Sequence, residues 1–241
     1  MEQTDSESTL LDTLMNSETA DWLRHHAAPF RELMSSYRCA MMEVSTKFNV
    51  LDEELSLQYD RNPIESIKTR LKSMESILGK LRRKSLPLTV ESIEEHLNDV
   101  AGVRVICAFP SDIYRLAEAF LRQDDVRLLH AKDYIKSPKP NGYRSLHLIV
   151  EIPIFLHDQK RLMKVEVQFR TLSMDWWASL EHKIRYKKDI VVTPQIEQEL
   201  FECARVAAEL DQRMEQVQRR VEGVSPAPCA DTASGSSQAP A

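Results

Sequence analysis

Residues 164–171 read KVEVQFRT, a stretch in which polar and apolar side chains alternate strictly up to the final arginine and threonine. The two-residue repeat of a β-strand puts Val165, Val167 and Phe169 on one face. The opposite face then carries four polar side chains in succession, namely Lys164, Glu166, Gln168 and Arg170. An ordinary sheet with one solvated face also has this pattern, so the strand alone does not establish a functional site.

Around this strand, the chain switches between extended and helical patterns. Gly102–Phe109 (GVRVICAF) predicts another strand, and Val126–His130 and His147–Phe155 predict two more. Ser111 is expected to cap a helix after the first of these strands, and a further helix is expected over 173–187. This order predicts an α+β fold in which a mixed β-sheet is flanked by helices.

Three further helices are predicted from apolar spacing. Phe30–Leu55 and Ile196–Val221 repeat apolar residues every three or four positions, as amphipathic helices do. Such stripes pack on their own domain or on another subunit, and the pattern does not decide which. A helix is also predicted over 64–81, with Asn62 as its N-cap and Pro63 at its first position.

These patterns divide the chain into four parts. Residues 1–60 are expected to be a helical N-terminal extension, and 61–190 the domain that contains the sheet. Residues 191–222 are expected to form the C-terminal amphipathic helix. Residues 223–241 are rich in Pro, Ala and Ser, and a tail of that composition is expected to be disordered.

The composition and charge of the chain limit the partners and the cellular locations that can be expected. The 241 residues carry a formal net charge of -5, so a general affinity for nucleic acid is not expected. The apolar runs are far shorter than the roughly 20 residues of a membrane span, and the N-terminus lacks the regions of a secretory signal. The scattered single cysteines indicate a reducing, cytoplasmic location, and two of them, Cys107 and Cys203, are expected in the core.

Two carboxylates are the first candidate site residues. Asp99 stands just before the GVRVICAF strand, and Glu166 projects from the polar face of KVEVQFRT. Carboxylates on neighbouring strands suit Mg²⁺, which takes few protein ligands and leaves its other positions to water and phosphate. A carboxylate near such a metal can also deprotonate an attacking hydroxyl group.

Two basic segments supply cations. The loop DYIKSPKPNGYRSLH (133–147) places Lys139 and Arg144 around Tyr143, which suits nucleotide phosphates and a base, although a solvated basic loop has the same composition. The segment KLRRK (80–84) is compatible with a triphosphate clamp, a solvated helix face or a nucleic-acid contact. The acidic charge of the chain disfavours the last of these.

The ordered set of three motifs resembles the synthetase domain of the RelA/SpoT family in its short, single-domain form. The motifs are NDVAGVRVICAF (98–109), DYIKSPKPNGYRSLH (133–147) and KVEVQFRTLSMDWWASLEHKIRYK (164–187). The resemblance implies a fold related to nucleotidyltransferases. It also implies transfer of the β,γ-pyrophosphate of ATP to the 3′-hydroxyl of GDP or GTP, which yields (p)ppGpp and AMP, without the hydrolase activity of longer members.

The resemblance also implies residue roles. ATP would be bound by six cations: Arg70, Lys72, Lys80, Arg82, Lys84 and Arg104, of which the first and last sandwich the adenine. The acceptor GDP or GTP would be bound by Lys139, Tyr143, Arg144, His147, Gln168, Arg170 and Asp175. Asp99 and Glu166 would hold Mg²⁺, Tyr143 would stack on guanine, and Glu166 would activate the hydroxyl. Support from the next helix is expected of Trp177, Glu181 and His182.

Association and two alternative functions complete these expectations. Relatives of this form imply a homotetramer built through the helices at the two ends. One alternative keeps the chemistry but changes the acceptor to an adenine nucleotide or the 3′ end of tRNA. The other is a non-catalytic nucleotide-binding or assembly protein, which the presence of Asp99, Tyr143 and Glu166 disfavours.

Overall fold

The computed structural model describes residues 17–59, 61–185, 193–221 and 223. The strands are β1 (Ile64–Leu71), β2 (Ala101–Cys107), β3 (Arg127–Asp133), β4 (Leu146–Phe155) and β5 (Lys160–Thr171). The helices are α1 (Ser17–Tyr59), α2 (Met74–Arg83), α3 (Val90–His96), α4 (Pro110–Leu121), α5 (Leu172–Arg185) and α6 (Pro194–Val221).

The strands form one sheet in the order β1-β2-β5-β4-β3. Strands β2 and β5 run parallel to each other, whereas the other neighbouring strands are antiparallel. The prediction of an α+β fold with a mixed, helix-flanked sheet is therefore confirmed. The strand KVEVQFRT lies at the centre of the sheet, so its polar face is not the face of an edge strand.

One face of the sheet is apolar and packs on α1 and α4. Phe48 of α1 lies 4.6 Å from Phe120 of α4 and 5.4 Å from Phe169 of β5, measured between ring centres. The whole predicted stripe of α1, from Phe30 to Leu55, is buried in this core. The structure therefore resolves one open alternative, because this helix packs on its own domain.

The predicted helix over 64–81 is wrong in its first half. Residues 64–71 form β1, which pairs with β2, and a helix begins only at Met74 after the N-cap Ser73. Asn62 caps no helix, because a strand follows it. Its Oδ1 instead accepts a hydrogen bond from Ser56 Oγ at 2.7 Å. Apolar residues three and four positions apart imitate a helix in this short segment, and pairing along β2 overrides that local signal.

Other differences between the predicted and the observed structure are smaller. The helix α4 begins at Pro110 with Phe109 as N-cap, so Ser111 is not the cap; its backbone N–H donates to Glu215 of α6. Cys107 is buried as expected, whereas Cys203 is exposed on α6. Of the predicted tail over 223–241, only Gly223 lies within the described residues.

No helix among the described residues combines the length and apolar character that crossing a membrane requires.

Candidate active site

The second face of the sheet is polar over four neighbouring strands. Arg104 of β2 pairs in register with Lys68 of β1 on one side and with Gln168 of β5 on the other. His147 of β4 is the next partner of Gln168, and Glu166 lies two residues away on the same face of β5. Because residues paired across a sheet project to the same side, these five side chains line one surface.

Asp99 lies at one end of this surface, between two lysines. Its Oδ2 accepts hydrogen bonds from Lys72 Nζ at 2.6 Å and Lys80 Nζ at 2.7 Å. Burial raises the pKa of Asp99, but the two ammonium groups outweigh burial and hold that pKa below its ordinary value. Its Oδ1 is buried and has no hydrogen-bond partner among the residues that the structure describes. Asp99 thus offers an ionised oxygen with a free coordination position.

Glu166 is held in place through both of its oxygens. Oε2 accepts from Gln168 Nε2 at 2.8 Å, and Oε1 lies 3.3 Å from His147 Nδ1. Burial raises the pKa of Glu166, but the His147 and Gln168 contacts outweigh burial and the repulsion from Asp99, so the pKa is below its ordinary value. The carboxylate is therefore oriented and ionised at neutral pH, as a proton acceptor must be.

These two acids are compatible with Mg²⁺. Asp99 and Glu166 line the same two clefts, so the two carboxylates lie near one another. The described residues include no group of three or more His, Cys, Asp or Glu side chains arranged to hold a metal. Mg²⁺ is nevertheless commonly held by one or two carboxylates together with water and substrate phosphates, and the orphaned Oδ1 of Asp99 fits that role.

Three neighbouring clefts lie along the polar face, and two of them border the acids. The central cleft, of about 650 Å³, is lined by residues in or next to β1, β2 and β5, including Arg70, Lys72, Asp99, Arg104, Glu166 and Gln168. The cationic cleft, of about 320 Å³, includes Lys80, Lys84, Asp99, Lys132, Lys139, His147 and Glu166. The helix-side cleft, of about 480 Å³, includes Arg70, Arg104, Tyr143, Gln168, Arg170 and His182. Asp99 and Glu166 thus belong to both the central and the cationic clefts.

A third acid, Asp175 of α5, anchors the cations at the far end of the polar face. Its Oδ1 accepts from Arg104 at 3.1 Å and Arg170 at 3.0 Å, while its Oδ2 accepts from Lys68 at 2.8 Å. Burial raises the pKa of Asp175, but these three cations outweigh burial and lower it overall. Asp175 is therefore an ionised carboxylate whose two oxygens are already engaged.

A chain of hydrogen bonds joins Asp175 to Glu166. Arg170 donates to Asp175 through Nη1 and to the Tyr143 hydroxyl through Nη2, the latter at 2.8 Å. The Tyr143 hydroxyl lies 2.8 Å from His147 Nε2, and His147 Nδ1 faces Glu166. One assignment of protons satisfies every step: Tyr143 donates to Nε2, and Nδ1–H donates to Glu166.

Comparison with known proteins agrees with this arrangement. The family model described as a region found in RelA and SpoT proteins matches residues 69–191, which include most of the residues that line the three clefts. The chain belongs to the RelA/SpoT family. This membership confirms the resemblance carried by the three motifs.

Two similar proteins of the RelA/SpoT family come from Bacillus subtilis. The chain is 46% identical to the GTP pyrophosphokinase YwaC over 186 residues, which is 77% of this chain and 89% of YwaC. It is 34% identical to the GTP pyrophosphokinase YjbM over 186 residues, 77% of this chain and 87% of YjbM.

Solved structures give the same result for the fold. The crystal structure of small alarmone synthetase 2 superposes with a TM-score of 0.72 at 43% identity, covering 79% of this chain and 98% of that one. Small alarmone synthetase 1 bound to its product pppGpp superposes with a TM-score of 0.73 at 33% identity, covering 80% and 98%.

Most residues expected from the RelA/SpoT resemblance lie on the three clefts, but they are distributed differently. Lys80 and Lys84, expected beside ATP, line the cationic cleft together with the acceptor residues Lys139 and His147. Tyr143, expected on the acceptor side, shares the helix-side cleft with the two donor arginines. Asp175 meets cations of both groups, and each of its two oxygens already accepts at least one hydrogen bond.

Three of the expected binding residues line none of the three clefts, namely Asp175, Arg144 and Arg82. Arg144 points towards α5 and α6, where it lines a small cavity with Met174 and Trp177, and its Nη1 donates to the Ile135 carbonyl at 3.5 Å. Arg82 is exposed on α2 and lines none of the three clefts.

The supporting residues of α5 hold neighbouring segments in place. Trp177 is buried and donates from Nε1 to the Leu200 carbonyl at 2.9 Å, which ties α5 to α6. Glu181 accepts from Asn141 Nδ2 at 3.3 Å and so contacts the loop over 134–145. His182 is exposed and lines the helix-side cleft.

Sequence reasoning missed several residues of the clefts. Lys68 lines the central cleft, and His130 and Lys132 of β3 line the cationic cleft. Lys68 alternates with Arg70, but assignment of this segment to a helix concealed that both face the site. His130 and Lys132 show the same two-residue spacing, which becomes informative once β3 is known to extend to Asp133.

Proposed function

We propose that this chain transfers the β,γ-pyrophosphate of ATP to the ribose 3′-hydroxyl of GDP or GTP, producing (p)ppGpp and AMP. One observation carries the proposal: the central and cationic clefts meet at Asp99 and Glu166. A reaction that joins two nucleotides requires two anion sites that share one reactive centre. The relatives named GTP pyrophosphokinases support the same activity.

The donor nucleotide fits the central cleft. Arg70 and Arg104 line this cleft on neighbouring strands, and a guanidinium plane suits stacking on a purine base. Lys72 lies at the Asp99 end, where an ammonium group can neutralise phosphate charge. The base would therefore lie towards the arginines, and the phosphates towards Asp99.

The acceptor fits the cationic cleft. Lys80, Lys84, Lys132 and Lys139 surround this cleft, which suits the phosphates of GDP or GTP. Lys139 Nζ also lies 4.9 Å from the centre of the Tyr143 ring, so the proposed stacking surface for guanine borders the cleft. An acceptor in this orientation would bring its ribose towards Glu166.

Glu166 would then act as the base. Its carboxylate takes the proton of the 3′-hydroxyl while the 3′-oxygen forms a bond to the β-phosphorus of ATP. The bond from that phosphorus to the α,β-bridging oxygen breaks, and AMP leaves with that oxygen. Such transfers depend mainly on positioning and charge neutralisation, which the lysines and arginines of the two clefts supply.

Mg²⁺ is proposed as the cofactor. Asp99 and Glu166 would hold it, because both line the same two clefts and Oδ1 of Asp99 is buried without a partner in the described part of the chain. When bound, the ion would neutralise charge on the transferring phosphates. An Asp99→Asn variant should bind Mg²⁺ more weakly in the presence of a non-hydrolysable ATP analogue, as measured by calorimetry. Equal Mg²⁺ affinity in the variant and the wild type would contradict this assignment.

Product analysis tests the activity directly. Purified full-length chain is incubated with ATP, Mg²⁺ and GDP, and the nucleotides are separated by anion exchange. We expect AMP and a guanosine tetraphosphate in equal amounts, and loss of both in Glu166→Gln. Glu151→Gln is a matched control, because Glu151 lies on the neighbouring strand, is largely buried and pairs with Arg127, but does not line the clefts.

Parallel reactions with GTP, ATP and tRNA as acceptors separate the proposal from its alternative. The absence of product with any guanine nucleotide would overturn the proposal, and label transferred to tRNA would favour the alternative.

The structure gives little support for an RNA surface in the KLRRK segment. Lys80 binds Asp99, and Lys84 Nζ lies 3.4 Å from the His96 carbonyl, so both point into the cationic cleft.

Association into a homo-oligomer, with a tetramer as the expected form, is also proposed. Because α1 uses its apolar stripe in the core, α6 is the terminal helix that still presents one. Its exposed residues Leu210, Met214, Val217 and Val221 follow heptad spacing, which suits pairing with the same helix of a second copy. Leu210→Asp should lower the mass measured by light scattering, and an unchanged mass would contradict this interface.

A cytoplasmic location remains part of the proposal. Its support is chemical: the nucleotide substrates are cytoplasmic metabolites, and Cys39, Cys107 and Cys203 are free thiols, as expected in a reducing compartment.

A further inference from the structure

Asp175 holds together two guanidinium groups that belong to different parts of the site. Arg104 and Arg170 both donate to Oδ1 of Asp175, although they lie on different strands. Asp175 is the sole hydrogen-bond partner of the Arg104 guanidinium among the described residues, and Nε of Arg104 is buried without one. The position of Arg104 in the central cleft therefore depends on this carboxylate.

Arg170 extends the same anchor towards Tyr143. Its side chain is 7% exposed, so its charge is almost entirely withdrawn from solvent and depends on protein partners. One arm of its planar fork binds Asp175, and the other binds the Tyr143 hydroxyl and Gln168 Oε1. The Tyr143 ring lies 5.2 Å from the Arg170 guanidinium carbon, which fixes the ring as well as its hydroxyl.

The two arginines would separate without the carboxylate between them. Burial and the neighbouring charge of Arg170 both disfavour the charged form of Arg104, and Asp175 opposes these effects. Like charges in a partly buried site repel strongly when the intervening anion is removed. Loss of Asp175 would therefore displace Arg104 on one side and Arg170, with Tyr143, on the other.

We propose that Asp175 is a positioning residue for both nucleotides: it holds Arg104 for the donor and, through Arg170, Tyr143 for the acceptor. This inference rests on the proposed function, which assigns those two residues to the two substrates. It also gives Asp175 a role other than reading the acceptor base. Asp175 contacts neither substrate and acts through the arginines.

A simple electrostatic argument makes the opposite prediction. Replacing Asp175 with Asn removes a negative charge near two phosphate-binding clefts, and Coulomb attraction alone would then strengthen nucleotide binding. Positioning predicts weaker binding, because the charge-assisted hydrogen bonds that orient both arginines are lost. The sign of the change in affinity therefore distinguishes the two explanations.

Calorimetry with the full chain provides the test, with a non-hydrolysable ATP analogue and GDP titrated separately. In Asp175→Asn, both affinities should fall about 10-fold, the effect of losing one hydrogen bond to a charged group. In Arg170→Lys, GDP should bind about 10-fold more weakly and the ATP analogue less than about 3-fold, because lysine lacks the fork that joins Asp175 to Tyr143.

Asp112→Asn is the matched control. Asp112 is a buried aspartate of α4 that accepts two hydrogen bonds from Arg61, both of 2.8 Å, and it lines none of the three clefts. We expect its nucleotide affinities to stay within about 2-fold of the wild type, since hydrogen bonds outside the clefts do not orient either substrate. If this control weakens binding as much as Asp175→Asn, the effect is one of general stability and the inference is overturned.

The remaining outcomes are also decisive. Either nucleotide binding to Asp175→Asn as tightly as to the wild type, or more tightly, overturns the inference while leaving the proposed function intact. A wild-type chain that binds neither nucleotide overturns both. If Asp175→Asn does not fold, Tyr143→Phe tests the same connection: GDP should bind about 5-fold more weakly with the ATP analogue unchanged, and unaltered GDP binding overturns the inference.

Discussion

Gly142 lies where the loop over 134–145 meets α6, and its replacement by alanine tests how the loop is held. Its backbone has a φ of +86°, in the left-handed region. A Cβ added there would lie 2.5 Å from Cβ of Ala204, a buried residue in the middle of α6. Neither partner is a flexible side-chain end, so the loop or the helix has to move.

Two costs contribute to the expected loss of stability. The left-handed backbone costs a residue with a Cβ about 1–2 kcal/mol. Overpacking against a well-packed neighbour adds roughly 1–3 kcal/mol. The free energy of unfolding should therefore fall by about 3 kcal/mol, which lowers the midpoint of thermal unfolding by about 6–12 °C for a chain of this size.

The substitution should also weaken acceptor binding selectively. Gly142 N–H donates to the Lys139 carbonyl at 2.8 Å, and Lys139 N–H donates to the Tyr143 carbonyl at 3.1 Å. Movement of Gly142 is therefore transmitted to both residues. We expect a higher KM for GDP and an unchanged KM for ATP, measured by initial rates of AMP formation, with unfolding followed by circular dichroism.

The chain offers a control for each cost. Gly223 has a φ of +70°, and no atom of the described residues lies within 4 Å of an added Cβ, so Gly223→Ala isolates the backbone cost and should lose less stability. In the double variant Gly142→Ala/Ala204→Gly the steric cost disappears, so its stability should exceed the additive value by about 1–3 kcal/mol. If Gly142→Ala loses no more stability than Gly223→Ala, or if the double variant is additive, the proposed contact is refuted.

Three further substitutions have defined outcomes. Gly79→Ala places a Cβ in open space within α2 and should raise the free energy of unfolding by about 0.5–1 kcal/mol in urea, whereas a loss would show a hidden contact. Burial raises the pKa of Asp211 in the folded chain, although Thr171 donates a hydrogen bond to it at 2.6 Å. Protonated Asp211 therefore contributes stability that is fully present below the pKa of the unfolded chain and is lost as pH rises through the pKa of the folded chain. Asp211→Asn should therefore unfold at a higher temperature than the wild type at pH 7. The difference should shrink as pH falls through the raised folded pKa and should be lost by about pH 4, the ordinary aspartate pKa; equal midpoints at pH 7 would contradict this. Trp177→Phe removes the hydrogen bond to Leu200 and should lower the free energy of unfolding by about 1–2 kcal/mol, and full stability of the variant would show that this bond does not hold α6.

Strict local patterns in the sequence were sufficient for much of the fold. The alternation in 164–171 predicted a strand, and the stripe from Phe30 to Leu55 predicted a helix, because burying one face of an element imposes its own period on the chain. Asp99 was recognisable by its position just before the strand GVRVICAF, and Glu166 for a reason related to periodicity. A charged group repeated on a strand next to apolar residues indicates a face that the core does not use.

Segments with an ambiguous period were decided by tertiary structure. Ile64, Ile67 and Leu71 fit a helix by spacing, but the edge of β2 offered hydrogen bonds that made this segment a strand. The same applies to the two amphipathic stripes. Their spacing is equivalent, yet the α1 stripe is buried against the sheet while much of the α6 stripe is exposed, because the space on the apolar face of the sheet is filled by α1 and α4.

By itself, the sequence determined which residue types serve the chemistry and which local elements carry most of them. The tertiary structure decided which of them meet. Asp175 binds Lys68, 107 positions earlier in the chain, and Arg104, 71 positions earlier. Such contacts depend on strand order and on where α5 turns back over the sheet, and local periodicity carries no information about either.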